Sequence, residues 1–304
     1  MTSATHNDLT DIHKGDWVDR ILPPVMRPYT RLARLDRPVG IWLTLFPCWA
    51  ALFQAANGLP DLRDLVVFTL GAFLMRSAGS TINDMADRNF DGHVERTRFR
   101  PLANGELSLF RALVFLAVQL ALAASLLFFL TSFARLLAAG VLPLVVLYPF
   151  CKRFTHWPQA VLGAAFNWGM LVAWAQIAGH VPAGAVLMWA GAIAWQIGYD
   201  TTYGYVDVKD DRRLGLKSTA ILFGAHGKAL IGLFYALTVL AWSTGGWLLG
   251  MSWPYAVGMV VIAAHLGWQA LRFDIARPEI NFRLFLAYIL TGALLAVAAL
   301  TGTF

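Results

Sequence analysis

Charge is scarce in this chain. Of its 304 residues 14% are charged and 58% hydrophobic, and the mean hydropathy is +0.58. A soluble domain carries about a quarter charged residues, so a water-soluble fold is excluded and a polytopic membrane protein is indicated. Cysteine is almost missing: Cys48, within the first apolar segment, and Cys151, at the end of the fourth, are too few for a disulfide framework. There is no low-complexity tract, no polar linker and no stretch with the composition of a separate soluble domain. The net charge of +6 is not gathered into a contiguous basic patch, which argues against nucleic acid as a partner and for attraction to membrane lipid. The N-terminal stretch carries Asp8, Asp11, Asp16 and Asp19 and no apolar run, unlike a signal or transit peptide.

What the chain does have is long apolar runs. Crossing a hydrocarbon core of ~30 Å takes about 20 largely apolar residues in a helix. Such runs lie at 38–57, 62–82, 107–130, 134–150, 158–178, 182–203, 227–248, 253–272 and 281–302, which predicts an all-α fold of nine transmembrane helices. The fourth is the weakest, because Arg135 and Pro143 shorten it.

The basic residues support this count. Twenty of the 24 Lys and Arg fall in the N-terminal arm and in the loops after the second, fourth, sixth and eighth segments. The arm holds Lys14, Arg20, Arg27, Arg31, Arg34 and Arg37, whereas the opposite loops hold only Arg63 and Arg135; Arg76 and Arg111 fall inside segments. The positive-inside rule then puts the N-terminus in the cytoplasm. Residues 16–37 mix apolar and basic side chains, but Pro23, Pro24 and Pro28 interrupt any long helix. They read as an interfacial arm of one or two short pieces, so the chain divides into an arm over 1–37 and one membrane domain over 38–304.

Two carboxylate clusters stand at segment ends. Asn83, Asp87 and Asp91 follow i, i+4, i+8, and Asp200, Asp207 and Asp211 follow i, i+7, i+11, so on helices each set lies along one stripe. Like charges crowded beside a membrane are tolerated mainly when a cation or proton joins them, and a divalent metal is the obvious guest. A secondary transporter also uses intramembrane acids, but its sites usually lie at the bilayer midplane on broken helices. Here the acids fall at helix ends beside basic loops.

Four stretches, RLDRPVG at 34–40, NDMADRNFDGHVERTRFRPLANG at 83–105, LYPFCKRFTHWPQAVLGAAFNWGMLVAWA at 147–175 and YDTTYGYVDVKDDRRLGLKSTAILFG at 199–224, resemble the intramembrane aromatic prenyltransferases of the UbiA superfamily. The Y-D-x-x-Y opening of the last stretch is similar to the branch acting on 4-hydroxybenzoate. The resemblance implies a nine-helix fold around a central cavity that opens to the bilayer and is capped on the cytoplasmic side. It implies Mg²⁺-dependent transfer of a polyprenyl chain from its diphosphate to an aromatic ring, with 4-hydroxybenzoate as acceptor or, alternatively, homogentisate or a dihydroxynaphthoate; the N-terminal stretch, unlike a signal or transit peptide, fits a bacterial inner membrane.

It also implies roles. Mg²⁺ takes oxygen ligands, usually one or two carboxylates with phosphate oxygens and water, so Asn83, Asp87 and Asp91 would form one metal site and Asp207 and Asp211 another. Lys152 and Arg153 would hold the diphosphate, unless they are only topogenic charge, and Lys217 would join the substrate site. Asp200, set deeper, would accept the phenolic proton or serve as a further metal ligand. Arg34 or Arg37 would pair with the acceptor carboxylate or act as an interfacial anchor. Tyr148 and Tyr203 would hydrogen-bond substrate or present ring faces to an allylic cation.

Overall fold

The computed structural model describes residues 12 and 15–304; Asp8, Asp11 and Lys14 lie outside the described residues. Among the described residues there is no strand. The arm forms two short helices, α1 (Trp17–Ile21) and α2 (Arg27–Leu32), separated by the Pro23–Pro24 pair. Then follow α3 (Val39–Ala56), α4 (Leu62–Asp91), α5 (Leu109–Leu126), α6 (Ser132–Ala139), α7 (Leu142–Phe154), α8 (Pro158–Phe166), α9 (Gly169–Ile177), α10 (Ala183–Arg213), α11 (Thr219–Phe223), α12 (Gly227–Leu248), α13 (Trp253–Arg272) and α14 (Pro278–Thr301).

Local chemistry sets these boundaries. Proline sits in the first turn of α7, α8, α13 and α14, where its missing N–H costs nothing and its fixed φ suits a helix start. Ser108, Thr131 and Ser218 cap α5, α6 and α11, their hydroxyls accepting from backbone N–H groups of the first turn.

Eight helical units among the described residues are long and apolar enough to cross a membrane. The sixth predicted segment lies in α10, which at 31 residues is long enough, but Gln196, Asp200 and three glycines dilute its apolar stretch. Two predicted segments are broken. The fourth splits into α6 and α7 at Gly140–Val141, just before Pro143. The fifth splits into α8 and α9 at Asn167–Trp168, where the Asn167 side chain donates to the carbonyl of Gly163 and the Trp168 indole to that of Leu137.

The core lies where α10 packs on α12 and α3 on α14, around the fully buried Trp195, Trp242, Tyr199 and Tyr288. By contrast α5 leaves Phe110, Leu113, Val114, Val118 and Leu122 exposed, a face suited to lipid. The 30 residues of α4 and 31 of α10 make helices about 45 Å long at 1.5 Å per residue, well beyond a ~30 Å hydrocarbon core. Both are therefore long enough to carry their charged C-terminal turns past an apolar layer of that thickness.

Candidate active site

One cavity of about 920 Å³ runs through the helical body. Asn83, Asp87 and Asp91 of α4 and Asp200, Asp207 and Asp211 of α10 all line it, so the two acidic stripes face one shared space. Its far end is apolar, walled by Leu120 and Leu127 near the end of α5, Leu130, and Leu142 and Val145 of α7.

The acids at the mouth are held by cations from other elements. Lys152 Nζ lies 2.6 Å from Asp87 Oδ2. Arg96, in the loop after α4, grips Asp207 through Nε at 2.9 Å and Nη2 at 2.6 Å. Arg100 Nη1 reaches both Asp91 at 2.9 Å and Asp84 at 3.2 Å, and Arg34 Nη2 meets Asp84 at 2.6 Å. Arg34 reaches it from a left-handed backbone, φ 60°, a conformation uncommon outside glycine. Acids in the last turns of α4 and α10 oppose the helix macrodipole and crowd one another. Such a placement works against stability, so it points to use at the site.

The acidic walls suit a hard divalent cation. The donors on these walls are oxygens of Asp and Asn; no histidine lines the cavity among the described residues, and its cysteine, Cys48, belongs to α3 and not to the acidic walls. Such an oxygen set selects Mg²⁺-like ions. Asp87 Oδ1 is buried without a hydrogen bond, while the Asp211 carboxylate makes no hydrogen bond or ion pair among the described residues, with Lys152 and Arg96 as its neighbouring cations. No three His, Cys, Asp or Glu side chains among the described residues converge on a point. The oxygens thus fit ions shared with an anionic ligand rather than a closed all-protein cage.

Deeper in, Arg76 of α4 lines the cavity. Its Nη1 bonds the Ser80 hydroxyl, and its guanidinium lies over the Phe166 ring, 4.8 Å from the centroid. Asp200 lines the same level of the wall, and Arg76 and Arg96 are the cations that act on it. Tyr148 and Tyr203 also line the cavity; Tyr203 stacks on Phe285 at 4.3 Å beneath the Arg96 guanidinium. Lys217 lines the mouth and donates through Nζ to the carbonyl of Phe154.

Of the residues singled out in the sequence, the structure brings all but one to this cavity. Arg153 is the correction: it does not line the wall, but lies over the Phe90 and Phe150 rings and donates to the Ala86 carbonyl. Of the two neighbours on α7, Lys152 is the one that lines the cavity. Arg34 and Arg37 reach the rim, engaged with Asp84 and Asp36 respectively. Sequence reasoning passed over Arg76, Asp84, Arg96 and Arg100. For Arg76 a signal existed, since Arg76, Ser80, Asn83 and Asp87 follow i, i+4, i+7, i+11 on one stripe.

Acidic pairs on two long helices, cations at the shared mouth and an apolar body below describe an intramembrane enzyme for a lipid carrying an anionic head. The chain belongs to the UbiA prenyltransferase family, whose model matches residues 44–300. It is 42% identical over 278 residues to the 4-hydroxybenzoate octaprenyltransferase of Hydrogenovibrio crunogenus, covering 91% of this chain and 98% of that protein. It is 47% identical over 246 residues to the protein of that name from Alcanivorax borkumensis, covering 81% and 85%. Among solved structures, a UbiA homologue from Aeropyrum pernix superposes with a TM-score of 0.72 at 26% identity, covering 84% of this chain and 96% of that one. A homologue from Archaeoglobus fulgidus bound to GPP and Mg²⁺ shares the fold, with a TM-score of 0.72 at 20% identity, covering 91% and 99%.

Proposed function

We propose that this chain transfers a polyprenyl group from polyprenyl diphosphate to the ring carbon ortho to the hydroxyl of 4-hydroxybenzoate, the prenylation step of ubiquinone biosynthesis. The observation that carries the reading is the order of groups along one cavity: paired acids and cations at the mouth, Arg76 and Asp200 below them, then an apolar body.

Lys152 and Lys217 face the mouth, where they hold the diphosphate by charge-assisted hydrogen bonds. Mg²⁺ held by Asn83, Asp87 and Asp91 on one wall and by Asp207 and Asp211 on the other would stabilise the charge on the departing diphosphate. The isoprenoid tail lies against the apolar body, and the buried site keeps water from the allylic cation. Tyr148 and Tyr203 present ring faces beside that cation.

The acceptor binds between Arg76 and Asp200. Arg76 pairs with its carboxylate, a role open also to Arg34 or Arg37 at the rim, and Asp200 takes the phenolic proton. The prenyl C–O bond breaks first, its electron pair leaving with the diphosphate, and the phenolate pushes electron density to the ortho carbon, which attacks the allylic cation to form the new C–C bond. Loss of the ring proton then restores aromaticity.

The Lys and Arg bias supports nine crossings with the arm and the cavity mouth in the cytoplasm, in a bacterial inner membrane. In purified protein with labelled 4-hydroxybenzoate and a series of prenyl diphosphates, Mg²⁺-dependent formation of the 3-polyprenyl acid is expected. Product from homogentisate or a dihydroxynaphthoate but none from 4-hydroxybenzoate would overturn the acceptor assignment.

A further inference from the structure

Gly40 lies in the first turn of α3, its carbonyl accepting from the Thr44 hydroxyl at 2.9 Å. Alanine is the better helix former at such a position, so propensity does not explain the glycine. Its surroundings do. A Cβ placed on Gly40 would collide with Nε, Nη2 and Cζ of Arg76. Cζ of Arg76 also lies over the Phe166 ring, 4.8 Å from its centre. The guanidinium is therefore held against the bare backbone of α3 and an aromatic face on α8, and Ser80 holds it by Nη1. Nε is buried against the glycine without a hydrogen bond. Both Gly40 and Phe166 line the cavity beside Arg76.

We infer that Gly40 is a positioning residue for acceptor recognition: its missing side chain opens the slot in which the Arg76 guanidinium lies, and so fixes where the acceptor carboxylate binds. The inference rests on the reading of Arg76 as the carboxylate's partner. The clash involves only the far end of a flexible side chain, so alanine at position 40 displaces the guanidinium while leaving the packing of α3 on α4 intact. A purely structural glycine would behave differently, since its loss would lower protein yield or affect both substrates alike.

The test is steady-state kinetics on the full chain in detergent or membranes with Gly40→Ala, Arg76→Met and the double variant. Gly40→Ala is expected to raise the apparent KM for 4-hydroxybenzoate about tenfold, as a misplaced carboxylate contact does, and to leave that for the prenyl diphosphate unchanged. Activity toward 4-hydroxybenzaldehyde, which lacks the carboxylate, should not fall, and Gly40→Ala should add nothing in the Arg76→Met background. If Arg76→Met raises the acceptor KM but Gly40→Ala does not, the role of Gly40 is overturned and the reading of Arg76 stands. If Arg76→Met leaves that KM unchanged, both fall. An equal loss for both substrates in Gly40→Ala also overturns the inference. Should Gly40→Ala fail to accumulate, Phe166→Leu removes the other wall of the slot and must show the same acceptor-only rise.

Discussion

Lys152 Nζ and Asp87 Oδ2 meet at 2.6 Å across the cavity mouth, joining α7 to α4. The pair neutralises Asp87, and in the proposed reaction Lys152 would be the cation that meets the arriving diphosphate. Lys152→Met should raise the apparent KM for the prenyl diphosphate about tenfold or more, with little change in that for 4-hydroxybenzoate. Lys152→Arg, which keeps the charge, should retain part of the affinity. Initial rates over a donor titration check this, and an unchanged donor KM in Lys152→Met would detach Lys152 from the diphosphate.

Asp84 is 1% exposed and binds both Arg34 and Arg100. Removing one member of a buried ionic group leaves the others uncompensated and costs on the order of 3–5 kcal/mol. Asp84→Ala should therefore lower the Tm of the detergent-solubilised protein. An unchanged Tm with lost activity would move Asp84 from scaffold to catalysis.

Asp200 separates activation of the acceptor from ionisation of the donor. Asp200→Asn should keep Mg²⁺-dependent binding of the prenyl diphosphate and lose transfer, and a more acidic phenol, already ionised, should recover part of the rate. Donor affinity falling together with rate, with no rescue by phenol acidity, would make Asp200 a metal ligand instead.

The arm carries its own pH dependence. The Gly15 N–H holds the Asp19 carboxyl below its usual 3.8, and Arg31 and Arg27 add to this, Arg31 from 2.7 Å. A depressed folded-state pKa contributes stability that is present above 3.8 and is lost as pH falls through the folded value. The contacts of α1 with α2 should persist at neutral pH and loosen only below about pH 4, read as faster cleavage of the arm by an acid-active protease. Asp19→Asn should be cleaved at a rate that no longer depends on pH over that range, after correction for the protease's own profile.

Segment ends and the acidic stripes were legible in the sequence because apolar length and helical spacing are local properties. Asn83, Asp87 and Asp91 needed only their periodicity to be placed on one face, and α4 carries that periodicity unbroken to Asp91. Breaks inside segments were less legible: Asn167 interrupts the fifth because its side chain meets Gly163 and, at 3.4 Å, Gln196 of α10, a tertiary contact. Arg76 was hidden for a similar reason. Its spacing placed it on the acidic stripe, but its use depends on Gly40 and Phe166, which lie on other helices. Arg153 misled because its place depends on the Ala86 carbonyl and the Phe90 ring of another helix, which its own stretch of sequence does not show.

If the two acidic walls act together on one diphosphate, Asp87 and Asp211 are coupled, and a double-mutant cycle on the pair measures that coupling. With protein levels matched and Mg²⁺ saturating, Asp87→Asn and Asp211→Asn should each lower turnover by about 10²-fold or more, and the double variant should lose far less than the product of the two. Near-wild-type turnover in either single variant, or strictly multiplicative losses, would contradict it.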